Sequence, residues 1–254
     1  MIEVLILSLI QGVTEFIPIS SSSHLILISE YIKFDKQSLS IDVSLHIGSF
    51  LAIMFYFKKD ILNFVVNKEL FIKIFISSIP VLLIGYILTQ TNFIEELRNI
   101  KIIAWTTLIF GILLFISDKF KLEKTIESNF SFRSALFIGF FQVVALIPGV
   151  SRSGIAITAA RILNFKRIDA AKISFLLSVP ILGGVSIYGV KNIITSPDIS
   201  FSLLNLISIL LSFVFSFITI KYFMKFLKKF SLSVFVVYRI ILGFCLLIFS
   251  YLKY

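Results

Sequence analysis

Long apolar runs alternate along this chain with short polar segments. The uninterrupted runs cover approximately residues 41–57, 71–89, 102–117, 173–190, 202–221 and 232–252. An α-helix needs about 20 mostly apolar residues to cross a bilayer, and most of these runs approach that length. Two further apolar stretches, at about 4–29 and 134–160, are interrupted by polar boxes rich in serine, glycine and proline. The pattern predicts six spanning helices and two broken elements.

Composition identifies the solvent around these helices. Of the 254 residues, 58% are hydrophobic and 15% are charged, and the mean hydropathy is +1.02. A soluble domain would be about one-quarter charged, so this chain cannot cover itself with groups that water accepts. Its 29 phenylalanines lie in continuous apolar runs, whereas barrel strands alternate apolar and polar residues. The sequence therefore predicts an all-α polytopic membrane protein, with residues 1–254 forming a single membrane domain.

The basic residues predict the orientation of this domain. The net charge of +10 is spread over separate short loops, which argues against a nucleic-acid partner. When the six runs are taken as spans, sixteen of the 24 lysines and arginines fall on one side and six on the other. Only Arg152 and Arg239 remain in apolar surroundings. We name the side with sixteen the basic side and predict that it is cytoplasmic.

This topology constrains the two broken elements. Basic loops on the same side flank the 134–160 stretch, so it must enter the membrane and return on the basic side. The 4–29 stretch either re-enters from outside or spans once, and its broken pattern favours re-entry. Irregular backbone at membrane depth is tolerated only where it is buried in protein or lines a wet cavity. We therefore expect the functional residues in these two elements.

The two halves of the chain resemble each other. Residues 11–23 (QGVTEFIPISSSS) are similar to 142–154 (QVVALIPGVSRSG), with Pro18 and Pro148 in corresponding places. Segments around Pro80 and Pro180 are also similar, as are residues 106–117 and 238–250. One re-entrant element and three spans per half would make an inverted-topology repeat, with halves at about 1–120 and 134–254. Sites in such repeats lie at the interface of the halves.

The first polar box brings together groups that are costly in lipid. Gln11 and Glu15 are four residues apart and share a helix face, Pro18 ends or kinks that helix, and a serine run leads to His24. A carboxylate at this depth must be paired, hydrated or metal-bound. Glu15 is either catalytic or the structural partner of a buried arginine. His24 is either catalytic or a satisfied core residue, and one or two of the serines could serve helix packing.

The second polar box, PGVSRSG at residues 148–154, suggests a loop feeding a helix N-terminus. Free backbone amides at such a terminus bind anions, and Arg152 adds planar, bidentate recognition of phosphate oxygens. We predict a phosphoryl group between Arg152 on one side and Glu15 and His24 on the other. Two weaker features are Asp42 with His46, as a ligand pair or an interfacial pair, and Arg239, as an interfacial anchor or a neutralising charge.

These boxes resemble those of the undecaprenyl-diphosphate phosphatase family, the bacterial membrane enzymes linked to bacitracin resistance. The resemblance rests on QGVTEFIPISSSSH and PGVSRSG in this order, and on flanking segments at 42–57, 175–184 and 235–243. It implies hydrolysis of a polyprenyl diphosphate lipid to the monophosphate and inorganic phosphate. It also implies recycling of the carrier lipid for cell-wall synthesis and cell shape, in a bacterial inner membrane. A homodimer is left open.

The resemblance also implies roles for individual residues. Glu15 and His24 match the essential acid and histidine, Ser21 the proposed nucleophile or phosphate ligand, and Arg152 a phosphate-binding arginine. The other polar positions of the boxes are expected to bind the substrate: Gln11, Ser20, Ser22, Ser151, Ser153 and Gly154. The family implies a divalent cation, Mg²⁺ or Ca²⁺, on Glu15. Gln11 stands where the family often has a second glutamate, which removes one carboxylate from that site.

Three alternatives remain open at this point. The nucleophile is either Ser21 or a water molecule. The chain could also be a transporter that flips the lipid phosphate, which an inverted repeat would favour, although an acid, a histidine and a hydroxyl cluster exceed what binding needs. The membrane acid-phosphatase superfamily shares serine, histidine and arginine chemistry. This sequence lacks that superfamily's first Lys-to-Arg-Pro motif and its final His-to-Asp motif.

Overall fold

A computed structural model describes residues 2–32, 39–64, 68–91, 93–195 and 202–252. In these ranges the chain is helical, and its only extended pairing is one isolated bridge between Lys124 and Phe165. The helices are α1 Ile2–Thr14, α2 Ser21–Ile32, α3 Leu39–Tyr56, α4 Lys58–Leu62, α5 Lys68–Thr89, α6 Phe93–Glu96, α7 Ile100–Asp118, α8 Ile126–Asn129, α9 Phe132–Val143, α10 Arg152–Ile162, α11 Arg167–Thr195, α12 Leu203–Leu227 and α13 Ser233–Leu252. A 3₁₀ turn at Val144–Leu146 follows α9.

The prediction of six spanning helices is confirmed. Six helices are long and apolar enough to cross a membrane, namely α3, α5, α7, α11, α12 and α13. The largest difference from the apolar runs is α11, whose 29 residues begin at Arg167 and not near residue 173. Its polar first turns are held by contacts that hydropathy does not register. Lys172 pairs with Asp60 at 2.6 Å, and Asp169 accepts a hydrogen bond from the Ile126 amide at 3.1 Å.

Each interrupted stretch forms two helices joined by a tight turn. The first turn follows α1 and contains Pro18, and the second follows α9 and contains Pro148. A proline inside a helix removes a backbone donor and clashes with the preceding turn, which kinks or ends the helix. Here the chain leaves the helix, whereas α5 and α11 each continue through a proline. Ser20 (φ 79°) and Ser151 (φ 72°) both have a positive φ immediately before the next helix. The two turns therefore re-aim the chain in the same way.

Small residues allow close helix packing. On α3, a side chain at Gly48 would collide with the backbone of α12 near Ile209, and Ser212 of α12 donates a 2.7 Å hydrogen bond to the Leu45 carbonyl. Gly12 of α1 meets α12 in the same manner. Gly139 of α9 meets the backbone of α5. Such contacts replace the hydrophobic driving force, which is absent between helices in lipid.

A buried ionic cluster joins the helix ends at the basic side. Asp118, at the end of α7, accepts hydrogen bonds from Arg167 at 2.7 and 3.1 Å and from the Leu232 amide at 3.2 Å. Arg161 of α10 lies 3.5 Å from the same carboxylate, is fully buried and donates to backbone carbonyls, including that of Phe120 at 2.5 Å. The ends of α7 and α10 and the starts of α11 and α13 therefore meet, in agreement with the predicted sorting of basic loops.

We expect Asp118→Ala to destabilise the protein strongly, because it leaves Arg161 buried without a carboxylate. Removing one partner of a buried ion pair costs about 3–5 kcal/mol. The control is Glu123→Ala, which removes the exposed partner of Lys121 at 3.6 Å, a kind of pair that contributes less than about 1 kcal/mol. Thermal unfolding in detergent measures both variants. Equal melting temperatures would contradict a structural role for the cluster.

Candidate active site

The two turns bring Glu15 and Arg152 into direct contact. Arg152, the first residue of α10, donates from Nη2 to Glu15 Oε1 at 2.7 Å. Its Nη1 donates to the Ser178 hydroxyl on α11. The Glu15 side chain is 6% exposed and that of Arg152 is 14% exposed. An ion pair in this buried position is expected whether Glu15 is catalytic or structural. The groups around Glu15 must therefore decide between the two roles.

The second carboxylate oxygen of Glu15 faces a hydroxyl. Ser21, the first residue of α2, donates from Oγ to Glu15 Oε2 at 2.6 Å. The turn at residues 15–20 makes this contact, since it folds the start of α2 back onto the residue that follows α1. A carboxylate that accepts the hydrogen of a serine hydroxyl can act as its base, which is the arrangement of an activated nucleophile.

Gln11 extends this cluster to His46 on α3. Its Nε2 donates to Glu15 Oε2 at 3.1 Å and lies 3.1 Å from His46 Nδ1. An amide nitrogen only donates, so Nδ1 accepts, and this geometry assigns the imidazole proton to Nε2. Gln11 is fully buried, and its Oε1 has no hydrogen-bond partner. That oxygen is a hard, uncommitted acceptor beside the carboxylate.

His24 lies in the same turn region but has other partners. Its Nδ1 is 2.6 Å from the Ser20 carbonyl and its Nε2 is 2.6 Å from the Tyr238 hydroxyl on α13. A carbonyl only accepts, so Nδ1 carries a proton and Nε2 can accept from the tyrosine. The structure thus joins Glu15 directly to Arg152 and Ser21, whereas His24 is held by Ser20 and Tyr238. The side chain of Ser22 lies outside the described residues.

Several predicted substrate-binding hydroxyls bond within the turns. Ser151 caps α10 by accepting from the Gly154 amide at 3.1 Å, and it lies 3.3 Å from the Ser153 hydroxyl. Ser153 donates to the Ile17 carbonyl at 3.0 Å, which links the second turn to the first. Ser20 lies 2.9 Å from the Ser23 hydroxyl. With the Gly154 amide bonded to Ser151, the amides of Arg152 and Ser153 are the ones at the start of α10 that lack an acceptor within the helix, and such amides stabilise anions.

Arg239 of α13 connects the two turns. It is 1% exposed, and Nη1 donates to the Pro18 carbonyl at 3.3 Å and to the Val150 carbonyl at 3.0 Å. Its Nη2 donates to the Gly149 carbonyl at 2.9 Å, and Nε donates to the Thr107 carbonyl of α7 at 3.1 Å. The sequence left this residue between an interfacial anchor and a neutralising charge, and the structure assigns it to the backbone of both turns. An arginine inside an apolar span was the available signal.

Sequence reasoning missed two further residues. Ser178 was quoted only as part of an apolar segment, although a serine two residues before Pro180 inside a span was a detectable anomaly. Tyr238 stands next to Arg239 at the start of the last span, and nothing in the sequence links it to His24. Each lies on a helix far along the chain from its partner: Ser178 bonds to Arg152, and Tyr238 bonds to His24. Gly154 has a steric role, because a side chain there would come within 3.0 Å of Arg239 Nη1.

The chain is similar to known proteins over nearly its whole length. Residues 4–245 match the family described as bacitracin resistance protein BacA. A protein of Pelagibacter ubique named undecaprenyl-diphosphatase is 51% identical over 98% of this chain and 98% of its own length. Proteins with the same name from Alcanivorax borkumensis and Jannaschia sp. are 40% and 36% identical, and each alignment covers at least 96% of both chains. The chain therefore belongs to the bacitracin resistance protein BacA family.

Proposed function

We propose that this protein hydrolyses undecaprenyl diphosphate to undecaprenyl phosphate and inorganic phosphate. The observation that carries the proposal is the contact of one carboxylate with both an arginine and a serine hydroxyl, at 2.7 and 2.6 Å. An arginine pairs with phosphate oxygens, and a carboxylate-bound hydroxyl can attack phosphorus. A purely structural role for Glu15 would need the arginine alone.

The biological setting forms part of the same proposal. Relatives over nearly the whole chain are named undecaprenyl-diphosphatase, and the family is described by bacitracin resistance. We infer that the protein recycles the lipid carrier of cell-wall synthesis and confers bacitracin resistance. We place it in the bacterial inner membrane with its basic side in the cytoplasm, as the bias of sixteen basic residues to six favours.

We further propose that both broken elements are re-entrant and that the halves form an inverted repeat. Four helix contacts support it: α1 packs on α12 as α9 packs on α5, α3 packs on α11, and α7 packs on α13. Ser20 and Ser151, each the last residue before the second helix of its broken element, both have a positive φ. This order makes α5 equivalent to α12, so the similarity around Pro80 and Pro180 joins non-equivalent helices.

The proposed reaction begins when the terminal phosphate takes Arg152 away from Glu15. The α10 amides and the guanidinium then hold the phosphate oxygens and stabilise the charge that spreads over them. The freed carboxylate of Glu15 accepts the Ser21 proton as Oγ forms a bond to the terminal phosphorus. The bond from phosphorus to the bridging oxygen breaks, and its electron pair leaves with undecaprenyl phosphate.

The second half of the reaction returns the enzyme to its starting state. Water attacks the phosphoserine, the bond from phosphorus to Ser21 Oγ breaks, and Glu15 returns the proton to the serine. One proton of the attacking water goes to His24 Nε2, which lies 2.6 Å from the Tyr238 hydroxyl, and His24 then passes it to the departing inorganic phosphate, so that the imidazole is neutral again. Direct attack by water on the diphosphate is the alternative, and it would need the same base and the same arginine.

A divalent cation, Mg²⁺ or Ca²⁺, also belongs to the proposal. Within the described ranges there is no group of three or more histidine, cysteine, aspartate or glutamate residues that could hold a metal by itself. Glu15 and the unpartnered Oε1 of Gln11 are hard oxygen donors that fit either ion, with diphosphate oxygens as the other ligands. Such an ion, when bound, would neutralise charge on the phosphoryl group.

The test of the main proposal is phosphate release from undecaprenyl diphosphate by purified protein. Glu15→Gln should lower kcat by about 10²–10⁴-fold, because the base is lost while the shape is kept. The matched control is Glu69→Gln, which changes an exposed carboxylate paired with Lys73 far along the chain from both polar boxes, and should keep the full rate. Near-full activity of Glu15→Gln, or lipid movement without phosphate release by wild type, would contradict the proposal.

We expect Ser21 to become phosphorylated during turnover. Rapid acid quenching with terminally labelled substrate should leave label on the wild-type protein at Ser21, and Ser21→Ala should carry none. The control Ser23→Ala changes a neighbouring hydroxyl that bonds to Ser20 at 2.9 Å, and it should keep the label. Unlabelled wild-type protein during active turnover would assign the attack to water.

The affinity for the divalent cation should depend on Gln11. A chelator should abolish turnover, and Gln11→Leu should raise the Mg²⁺ concentration for half-maximal rate on the order of tenfold, because one oxygen donor is lost. Gln11→Glu should lower that concentration, since a second carboxylate increases the demand for a cation. Gln142→Leu is the control, because this buried amide has no partner in the structure. Full activity in the presence of chelator would refute the cation proposal.

A further inference from the structure

A lipid-facing groove lies on the surface between α12 and α13, in the half of the protein towards the basic side. It encloses about 570 Å³, within the range of roughly 300–1,000 Å³ that ligand clefts occupy. Aromatic side chains of the α12 surface and the segment after it form the walls, including Tyr222, Phe226 and Phe230. Ile17, in the turn that follows Glu15, also lines the groove. The groove thus runs from the surface to the turn that carries the proposed site.

Two lysines stand on the rim of this groove. Lys225 and Lys229 are four residues apart, so they project from the same side of the chain at the end of α12. Both are exposed, and neither has an ion-pair partner in the described part of the chain. Lys221 and Lys228 belong to the same segment and do not line the groove. The favourable interaction of cations with the C-terminal end of a helix explains why four lysines lie in this segment. It does not explain why two of them line the groove.

A second groove of similar size shows the contrast. It encloses about 500 Å³ between α3 and α12 and has one lysine, Lys58. The Lys58 ammonium lies 4.9 Å from the centre of the Phe55 ring, so its charge already has a partner within the protein. The two free ammonium groups beside an apolar cleft are therefore particular to the groove between α12 and α13, among the grooves described here.

We propose that this groove binds an anionic phospholipid of the cytoplasmic leaflet. Its phosphate lies between Lys225 and Lys229, and one acyl chain follows the aromatic walls towards Ile17. Basic pockets between helices on the cytoplasmic side recognise lipid head groups by this combination of charge and apolar area. The proposed lipid binds at these lysines and not at Arg152, and we take it to be a different molecule from the substrate. This binding does not depend on hydrolysis.

Native mass spectrometry of the purified full-length protein, titrated with phosphatidylglycerol or phosphatidylcholine, tests the proposal. Wild type should bind one phosphatidylglycerol in preference to phosphatidylcholine. The double variant Lys225→Gln, Lys229→Gln should bind it on the order of tenfold more weakly. The matched control is Lys221→Gln, Lys228→Gln, which removes the same charge from the same segment and should bind as wild type does.

A second variant tests the apolar part of the groove with both lysines present. Ile218→Trp fills the wall at a side chain that is 44% exposed, which the fold should tolerate, and it should also lose the preferred phosphatidylglycerol. Equal losses in the two lysine variants would show a general surface charge effect and overturn the proposal. So would equal binding of the two phospholipids, or displacement of phosphatidylglycerol by equimolar undecaprenyl phosphate, which would make the groove a substrate subsite.

Discussion

A buried guanidinium holds the two turns of this protein together. Each turn interrupts a helix and so releases backbone carbonyls inside the protein, where an unpaired polar group costs several kcal/mol. Arg239 donates to the Pro18 carbonyl of one turn and to the Gly149 and Val150 carbonyls of the other. The first residues of α2 and α10, Ser21 and Arg152, are positioned by these turns and meet on Glu15. The positive charge of Arg239 is stabilised by the dipoles of these carbonyl groups. A carboxylate partner would have occupied the N–H groups of Arg239 that the turn carbonyls accept from.

Much of this arrangement was accessible from the sequence. Hydropathy located the six spans, the lysines sorted the loops, and the high cost of charge in lipid selected Glu15 and Arg152 as residues to be explained. What the sequence could not supply is the register between distant helices. Ser178 reaches Arg152, Tyr238 reaches His24, and His46 reaches Gln11 only because α11, α13 and α3 stand at particular rotations against the turns. Periodicity within one helix carries no information about the rotation of its neighbour.

The hydroxyl groups illustrate a second limit. A run of serines next to a histidine suggests a surface that binds a ligand. In a low-dielectric interior, however, a hydroxyl without a hydrogen bond is unfavourable, so each serine hydroxyl bonds to an acceptor close to it. Ser151 and Ser153 bond within or between the turns, and Ser20 bonds beside Ser23. Ser21 is the serine whose hydroxyl donates to the Glu15 carboxylate. Local composition therefore indicated the region where these side chains meet, but it could not rank them.

The glycine contacts of α12 bear on how the molecule can move. Gly48 of α3 and Gly12 of α1 bring their backbones against α12, and the Ser212 hydroxyl donates across this interface. These contacts join helices from the first part of the chain to one from the second, as α7 with α13 and α5 with α9 also do. A rocking motion of one half against the other would therefore have to break these close backbone contacts and the hydrogen bond between α3 and α12 together, which makes such a motion costly.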